Sequence, residues 1–287
     1  MDPVRSPDAS PEAHGWLRSW WALPVDDMEF VHRLLGAASI CGVFGGAGLA
    51  QLFEATEDQK KRYLYPTLAG EKKGFFGLSE PSGGSDPARA IQTTAIQDGD
   101  DWIIDGEKIW ITAGDIADYA VTYAVTDRDK GAHGGVTAFL VPREADGYVV
   151  GKNEEKMGQR GSGTVTLAFE GVRVPDANRL GEVGAGFRTA MGVLDRGRLA
   201  LGANCLGAAR EAHRLSVEYA GQREAFGKPI AGHQAIQWML ADSAVELYAM
   251  ESMIYRTAWL CDGHQPFGRE SASVKLLDRK STRLNSS

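Results

Sequence analysis

The sequence predicts an α+β fold in three successive blocks. A partial N-terminal helical domain covers residues 1–74, a middle antiparallel β-domain 75–186, and a partial C-terminal helical bundle 187–280. Two observations predict it. The hydrophobic period switches from helical to alternating near residue 75 and back to helical near 187. No helix-length pattern separates the strand candidates of the middle block, which argues against parallel β-α-β units and for an antiparallel barrel or sandwich.

Residues 1–27 show no clean period, and 3–11 read as a disordered or poorly defined start. From Asp27 to about Gly70, apolar and small residues recur through Phe30, Leu34, Leu35, Ala38, Cys41 and Val43, with a second helical stretch around 57–68. Gly45-Gly46-Ala47-Gly48 resembles a dinucleotide loop only in part: no strand precedes it and the full glycine spacing is not met, so close helix packing is the better reading. In the middle block, Trp102-Ile103-Ile104 and Ile109-Trp110-Ile111 flank Asp105-Gly106, a short hairpin-turn signal. Further strands are expected at 119–126, 135–141, 148–152, 164–169 and 172–174. From Phe187 the pattern is helical again, and Leu201, Cys205, Ala208, Ala212, Leu215 and Tyr219 form one apolar stripe. After a break at 221–232, Ile236, Leu240, Leu247, Met250, Ile254 and Cys261 form another, stopped by Gly263 and Pro266. A third helix opens near Glu270 and runs through Leu277; residues 281–287 abandon the pattern and read as a non-native tail.

At 287 residues, 43% apolar and 24% charged, the chain has the composition of a globular protein with a sizeable core. Its net charge of −7, with basic residues scattered, argues against a nucleic-acid surface and against attachment to anionic lipid. Cys41, Cys205 and Cys261 are too few and too far apart for a disulfide framework, and fit a reducing, cytoplasmic setting. Cys261 and His264 alone make no metal site. No apolar run reaches the ~18 residues of a membrane span, and the start of the chain lacks the pattern of a secretory signal.

Four segments carry chemistry. Leu78-Ser79-Glu80-Pro81-Ser82-Gly83-Gly84-Ser85-Asp86 is followed by Lys108-Ile109-Trp110-Ile111-Thr112, by Met157-Gly158-Gln159-Arg160-Gly161-Ser162, and by Arg223-Glu224-Ala225-Phe226-Gly227-Lys228-Pro229-Ile230 with His233-Gln234. Any one alone reads as a loop, a cross-strand aromatic or a solvated charge. In this order, between helix, β and helix blocks, they resemble the T-E-P-x-A-G-S-D, K-x-W-I-T, M-G-x-R-x-S and R-x-x-F-G-x-x-I…Q segments of the FAD-dependent acyl-CoA dehydrogenase family. The likeness covers roughly residues 30–280, with Ser79 in the usual threonine place.

The resemblance implies FAD as cofactor. A flavin needs an aromatic wall, short hydroxyl side chains and free backbone N–H groups. By resemblance, the segment from Phe76 through Leu78, Ser79 and Gly84 to Ser85 wraps the pyrimidine edge. Trp110 packs on the ring, with Ile111 beside it and the Thr112 hydroxyl near N5. Arg223 suits a pyrophosphate and would reach the flavin of a neighbouring subunit together with Phe226, His233 and Gln234. Glu80 and Pro81 read as loop-shaping. For an acyl-CoA substrate the matching residues are Ser85, Ser162, Phe187, Asp195 and Arg198, the last also an ion-pair candidate for Asp195.

The implied reaction is α,β-desaturation of a thioester, in which a glutamate removes the α-proton as hydride leaves the β-carbon. The family places that glutamate either where this chain has Gly197 or in a C-terminal segment absent here, so no catalytic residue is assigned and the chain is expected to be inactive as it stands. The resemblance also implies an electron-transfer flavoprotein as acceptor and a homodimer or homotetramer, without nucleic acid or membrane as partner. Flavin oxidases and monooxygenases of the same architecture are the first alternative, and a non-catalytic structural relative another. A nucleic-acid-binding relative would need a basic face, which the net charge opposes.

Overall fold

The computed structural model describes residues 49–284, apart from 54 and 159. The helical pattern expected from Asp27 to 48, the glycine run 45–48, Cys41, Gln159 and the last three residues lie outside the described residues. The described chain forms two compact units, one ending at Leu194 and the other beginning at Asp195.

The first unit opens with α1 (Leu49–Leu52), then one helical run made of α2 (Glu57–Gln59), a π-helical turn (Lys60–Leu64) and α3 (Tyr65–Leu68). Thr56 and Gln59 form a reciprocal capping box, 3.3 Å and 3.1 Å, satisfying two N-terminal donors at once. The Gln59 amide also donates to the carbonyls of Ala177 and Arg179, at 3.0 Å and 2.8 Å, which pins the helix start to the far end of the β-domain.

The strands are β1 (Gly74–Gly77), β2 (Thr94–Asp98), β3 (Asp101–Thr112), β4 (Tyr119–Val125), β5 (Val136–Pro142), β6 (Tyr148–Asn153), β7 (Thr164–Pro175) and β8 (Arg179–Leu180), with short helices α4 (Pro87–Ala90) and α5 (Ala132–Gly135) between them. They form one sheet in the order β6-β7-β3-β2-β4-β5-β8, with β1 pairing β4. The expectation of an antiparallel domain is corrected here: β1 runs parallel to β4 through four register pairs, and β2 meets β4 in parallel at Thr94 and Val125. A parallel pair needs a long connection, and residues 78–118, with the β2–β3 hairpin inside them, supply it. The strands expected at 164–169 and 172–174 are one strand, β7.

The hairpin turn expected at Asp105-Gly106 is also corrected. The β2–β3 turn is at Gly99-Asp100, with Asp98 paired to Asp101 and Gly99 at φ 63, the glycine-first arrangement of tight hairpins. Asp105-Gly106 instead lies within β3 at a register shift against β7. Gly106 has φ 150, and a Cβ there would come within 2.6 Å of the Thr93 Cα. The glycine permits a bulge and a close strand approach, which the same dipeptide does not distinguish from a turn.

Alternation puts opposite faces of the central strands into two cores. Tyr119, Val121 and Tyr123 of β4 join Leu64, Leu78 and Leu140 on one side. Ala120 and Ala124 join Phe75, Trp102, Ile104 and Phe139 on the other.

Helix α6 (Gly186–Gln222) begins in the first unit and continues into the second. A small hairpin follows, β9 (Glu224–Ala225) with β10 (Lys228–Pro229), then α7 (Gln234–Asp262) and α8 (Gly268–Leu284). The last continues four residues past the expected end at 280. In the second unit Leu199 and Leu206 of α6 pack with Met250 and Ile254 of α7 and Val274 of α8. On α7, Leu247, Met250 and Ile254 of the expected stripe face this core. In the second unit the buried residues of α6 are Leu199, Gly202, Asn204, Leu206, Gly207, Ala209 and Ala220, none of them in the expected stripe, and Ala212, Leu215 and Tyr219 of that stripe are exposed. Gly202 explains the offset: a Cβ there would lie 2.3 Å from Val274 Cγ1, so α8 approaches over the glycine.

The turn and bulge assignments predict opposite tolerances. Gly106→Ala should cost about 2 kcal/mol or more, through strain at positive φ and collision with Thr93. Gly99→Asn, at a position open to solvent and at a positive φ that asparagine tolerates better than most residues, should cost less, about 1 kcal/mol or below. Urea titrations of both variants read the difference, and equal costs would overturn the assignment.

Candidate functional site

The loop between β1 and α4 is fixed by a buried charge pair. The Glu80 side chain is 3% exposed and that of Lys108, on β3, fully buried, with Nζ to Oε1 at 2.6 Å. Glu80 also accepts from the backbone N–H of Gln92 at 2.5 Å and of Thr93 at 3.1 Å. Lys108 donates its second bond to the Tyr123 carbonyl at 2.8 Å. Burial pulls the Lys108 ammonium down to about 8, against the raising influence of Glu80. Beside the pair, Ile109 N–H donates to the Ser79 carbonyl at 3.0 Å, and Gly83 N–H to the Glu80 carbonyl at 3.1 Å. Residues 79–83 are therefore a tight turn riveted to β3 and β4 from beneath.

That anchoring determines what is presented above it. Between Lys108 and Ile111 the β3–β7 register shifts, and Trp110 takes φ 57, a rare conformation for a bulky residue and a costly one. The result is an indole 61% exposed at the edge of a well-packed sheet. A Cβ on Gly84 would lie 3.8 Å from Trp110 Cζ3, so the glycine-containing loop borders the ring without crowding it. Ser79 and Thr112 are half-buried and Ser85 is exposed. The loop before β7 closes on the same strand end: Ala113 N–H donates to the Gly163 carbonyl at 3.0 Å. The Lys156 ammonium is bound to the Ser162 carbonyl and, at 2.8 Å, to Thr164 Oγ1.

The structure thus brings Ser79, Gly84, Ser85, Trp110, Thr112 and Ser162 to neighbouring segments of the first unit. It does not open the side chains of Leu78, Ile111 or Phe187, which are buried. Phe76 leans on Tyr123 at 5.3 Å between ring centroids, and Phe187 meets His133 edge-on at 5.5 Å. An open aromatic face, flanked by hydroxyls and by a glycine where a side chain would narrow the gap, fits a flat heteroaromatic ring such as a flavin.

The second unit carries the remaining predicted residues. Phe226 and Gly227 form the β9–β10 turn with φ 54 and 77, the two left-handed residues of a type I′ turn. A phenylalanine in this role is strained, and its ring is 96% exposed. His233 closes the hairpin, with Nε2 3.2 Å from the Ala225 carbonyl oxygen. Arg223 and Gln234 are exposed at its base. Asp195 and Arg198 are ion-paired one helical turn apart, and Ser271 Oγ donates to the Asp195 carbonyl at 2.6 Å. A Cβ at Gly197 would meet nothing within 4 Å outside its own stretch of helix.

Sequence reasoning left Lys108 without a role. Its signal was a lysine in phase with Trp102 and Ile104, the apolar positions of the same strand.

The pair predicts a non-additive cycle. Lys108→Met or Glu80→Gln alone should cost about 3–5 kcal/mol, because each strands a buried polar partner. The double variant should cost at least about 2 kcal/mol less than the sum, measured by urea unfolding. A pH dependence follows. The unfolded lysine keeps its proton to about 10.5 while the folded one loses it near 8, so stability rises with pH from about 8 to 10. Tyr119, pushed up to about 12, opposes this only above the ordinary tyrosine range near 10. The double variant should lack the rise, and an identical slope in both proteins would overturn the assignment.

Comparison with known proteins gives the site its context. Residues 75–172 match the family model "Acyl-CoA dehydrogenase, middle domain", and 184–281 match "Acyl-CoA dehydrogenase, C-terminal domain". The chain is 40% identical over 257 residues to the "Probable acyl-CoA dehydrogenase YngJ" of Bacillus subtilis (strain 168), covering 90% of this chain and 67% of that protein. It is 43% identical over 221 residues to the mitochondrial short-chain specific acyl-CoA dehydrogenase of Rattus norvegicus, covering 77% of this chain and only 53% of that one. Butyryl-CoA dehydrogenase of Megasphaera elsdenii superposes with a TM-score of 0.80 at 37% identity, over 90% of this chain and 68% of that one. The motif order, the helix–sheet–helix architecture and these likenesses agree: the chain belongs to the acyl-CoA dehydrogenase family.

Proposed function

We propose that the chain binds FAD at the Ser79–Trp110–Thr112 face. In the complete protein it would dehydrogenate an acyl-CoA thioester between its α- and β-carbons and pass the electrons to an electron-transfer flavoprotein. One observation carries the reading. Trp110 is held at a strained φ with its ring open, over a glycine, on a loop secured by a buried ion pair. Packing alone rewards none of this, and strain that persists in a rigid frame points to function.

Bound FAD would supply the hydride acceptor. The chain's own groups would bind and orient: the Trp110 ring as wall, the Ser79 and Thr112 hydroxyls as hydrogen-bonding partners at the ring edge, Ser85 and Ser162 toward the thioester ligand. Arg223, exposed beside the strained Phe226 turn, suits the pyrophosphate of a cofactor held by a neighbouring copy. Self-association into a dimer or tetramer is part of the proposal. Glu80 is not the base, since its oxygens are committed to Lys108 and two backbone N–H groups. The base is assigned to a glutamate outside this chain, with Gly197 as the alternative position. Among the described residues no helix is long and apolar enough to cross a membrane. Among the described residues neither Cys205 nor Cys261 is in a disulfide, and a reducing cytoplasm is part of the proposal.

Two measurements test the reading. The chain should take up FAD, and Trp110→Ala should weaken uptake about tenfold, the worth of one good aromatic stacking contact. Absence of any FAD binding by the unaltered chain would sink the cofactor assignment. Gly197→Glu should leave the fold intact, because the site is open and glutamate is the better helix former by up to ~1 kcal/mol. Loaded with FAD, that variant should bleach anaerobically with an acyl-CoA that leaves the unaltered chain yellow. Equal bleaching in both proteins would show that the base is already present elsewhere.

A further inference from the structure

The first unit carries a cavity of about 380 Å³ that shares no residue with the Ser79–Trp110–Thr112 face. Arg62, Tyr63, Lys72, Asp118, Pro142 and Glu144 line it. Its volume is at the small end of ligand sites, ~300–1,000 Å³, but those are mostly apolar. Here four of the six lining residues are charged, two of each sign. Such a lining suits neither an acyl chain nor a flat apolar ring.

One proline shapes the wall. Pro66 has no N–H to give the carbonyl of Arg62, four residues before it, so the α-helical ladder is interrupted there. The helix widens into the π-helical turn Lys60–Leu64, where the Tyr65 N–H donates to the Lys60 carbonyl. Turns of this kind recur at functional sites, and this one carries Arg62 and Tyr63. Lys72, in the loop before β1, donates to the Arg62 carbonyl at 3.3 Å.

Both cations are held by neutral groups. Arg62 donates to Asn178 Oδ1 and to the Tyr63 hydroxyl, each at 3.3 Å. Asn178 is 1% exposed and donates to the Leu140 carbonyl at 2.8 Å, which gives the arginine a fixed post. The Arg62 guanidinium and the Lys72 ammonium lie 5.2 Å and 5.5 Å from the centre of the buried Tyr63 ring. Tyr119 braces that ring edge-on at 4.8 Å. Both cations have more N–H donors than these bonds use. On the acidic side, Asp118 Oδ2 accepts from the Lys73 N–H at 2.7 Å. Among the described residues, none of Arg62, Lys72, Asp118 and Glu144 is ion-paired. A lone surface charge is ordinarily solvated. Two cations converging on one ring and set by neutral partners are instead pre-organised for a ligand.

Charge balance decides which ligand. A simple anion would meet two carboxylates along with the two cations, and a simple cation the reverse. A molecule carrying both signs satisfies all four side chains. We propose that this cavity binds a small zwitterion, its carboxylate against Arg62 and Lys72 and its ammonium against Asp118 and Glu144. Flavin binding is not required for it.

Ligand-observed NMR titration of the 287-residue chain tests the site. The probes are glycine, γ-aminobutyrate and ε-aminocaproate, zwitterions of increasing charge separation. Butyrate, butylammonium and inorganic phosphate serve as controls of a single sign. The best zwitterion should bind with a Kd of about 1 mM or tighter, and about tenfold better than each control. Arg62→Gln and Glu144→Gln should each weaken it about tenfold, the worth of one hydrogen bond to a charged group. Glu144 is exposed and makes no hydrogen bond among the described residues, so its variant keeps the fold even where loss of Arg62 loosens Asn178. Thermal midpoints establish folding in both. A control that binds as tightly as the best zwitterion overturns the ligand class. Absence of binding by every probe overturns the site. So does zwitterion binding indifferent to Glu144→Gln or to a folded Arg62→Gln.

Discussion

The ion pair between Lys108 and Glu80 is the interaction on which the rest of the candidate site depends. It joins a loop, a bulged strand and β4 at one point, and every bond it makes is inside the protein. A buried ion pair is a poor way to gain stability, since desolvation consumes most of its Coulomb energy; the lowered Lys108 ammonium shows that cost directly. What it provides is position. Glu80 has donors on several sides, and only one loop conformation satisfies them together. An apolar pair in the same place would fill the volume without specifying where residues 79–85 lie.

Position matters because what stands above the pair is strained. Trp110 and Phe226 are both bulky residues at positive φ with open rings, one in each unit. Each sits where its surroundings over-determine the backbone. Trp110 is flanked by the β3–β7 ladder and the Glu80 turn, and Phe226 by a two-residue hairpin whose flanks are tied by Ile230 and His233. Ala113 and His264 also take positive φ, but Trp110 and Phe226 combine it with a large open ring, and strain of that kind is expected where it serves binding.

The order of blocks was legible because it rests on periodicity, which burial imposes directly. β4 and β5 gave themselves away by apolar runs, since both their faces are buried. The parallel β1–β4 pairing was not legible, because pairing direction depends on what a long connection permits and leaves no mark on either strand. Asp105-Gly106 misled for a related reason: glycine reports that the backbone needs freedom, not whether a turn or a bulge uses it. The usable clue was phase. Trp102, Ile104 and Lys108 share one parity and Ile111 the other, which requires an irregularity before Ile111. On α6 the error came from counting apolar side chains alone. The buried face runs through Gly202, where the absence of a side chain lets α8 approach. The motif residues at Ser79, Trp110 and Thr112 were legible by resemblance, but the reason Trp110 is available needed the bulge.

Glu80 shows why residue type does not settle role. A carboxylate next to the proposed flavin face is the natural candidate for a base, and by composition it would be chosen first. A base, however, needs an oxygen free to receive a proton from carbon, and an approach for that carbon. Glu80 has neither: its side chain is buried and its oxygens accept from an ammonium and two backbone donors. Protonating it would also leave Lys108 as an uncompensated buried charge, so each turnover would threaten the loop that holds the ring in place. Structural anchoring and proton transfer make opposite demands on a carboxylate, one wanting its charge saturated and the other wanting it available. A site built on this loop therefore has to keep the two tasks on separate residues.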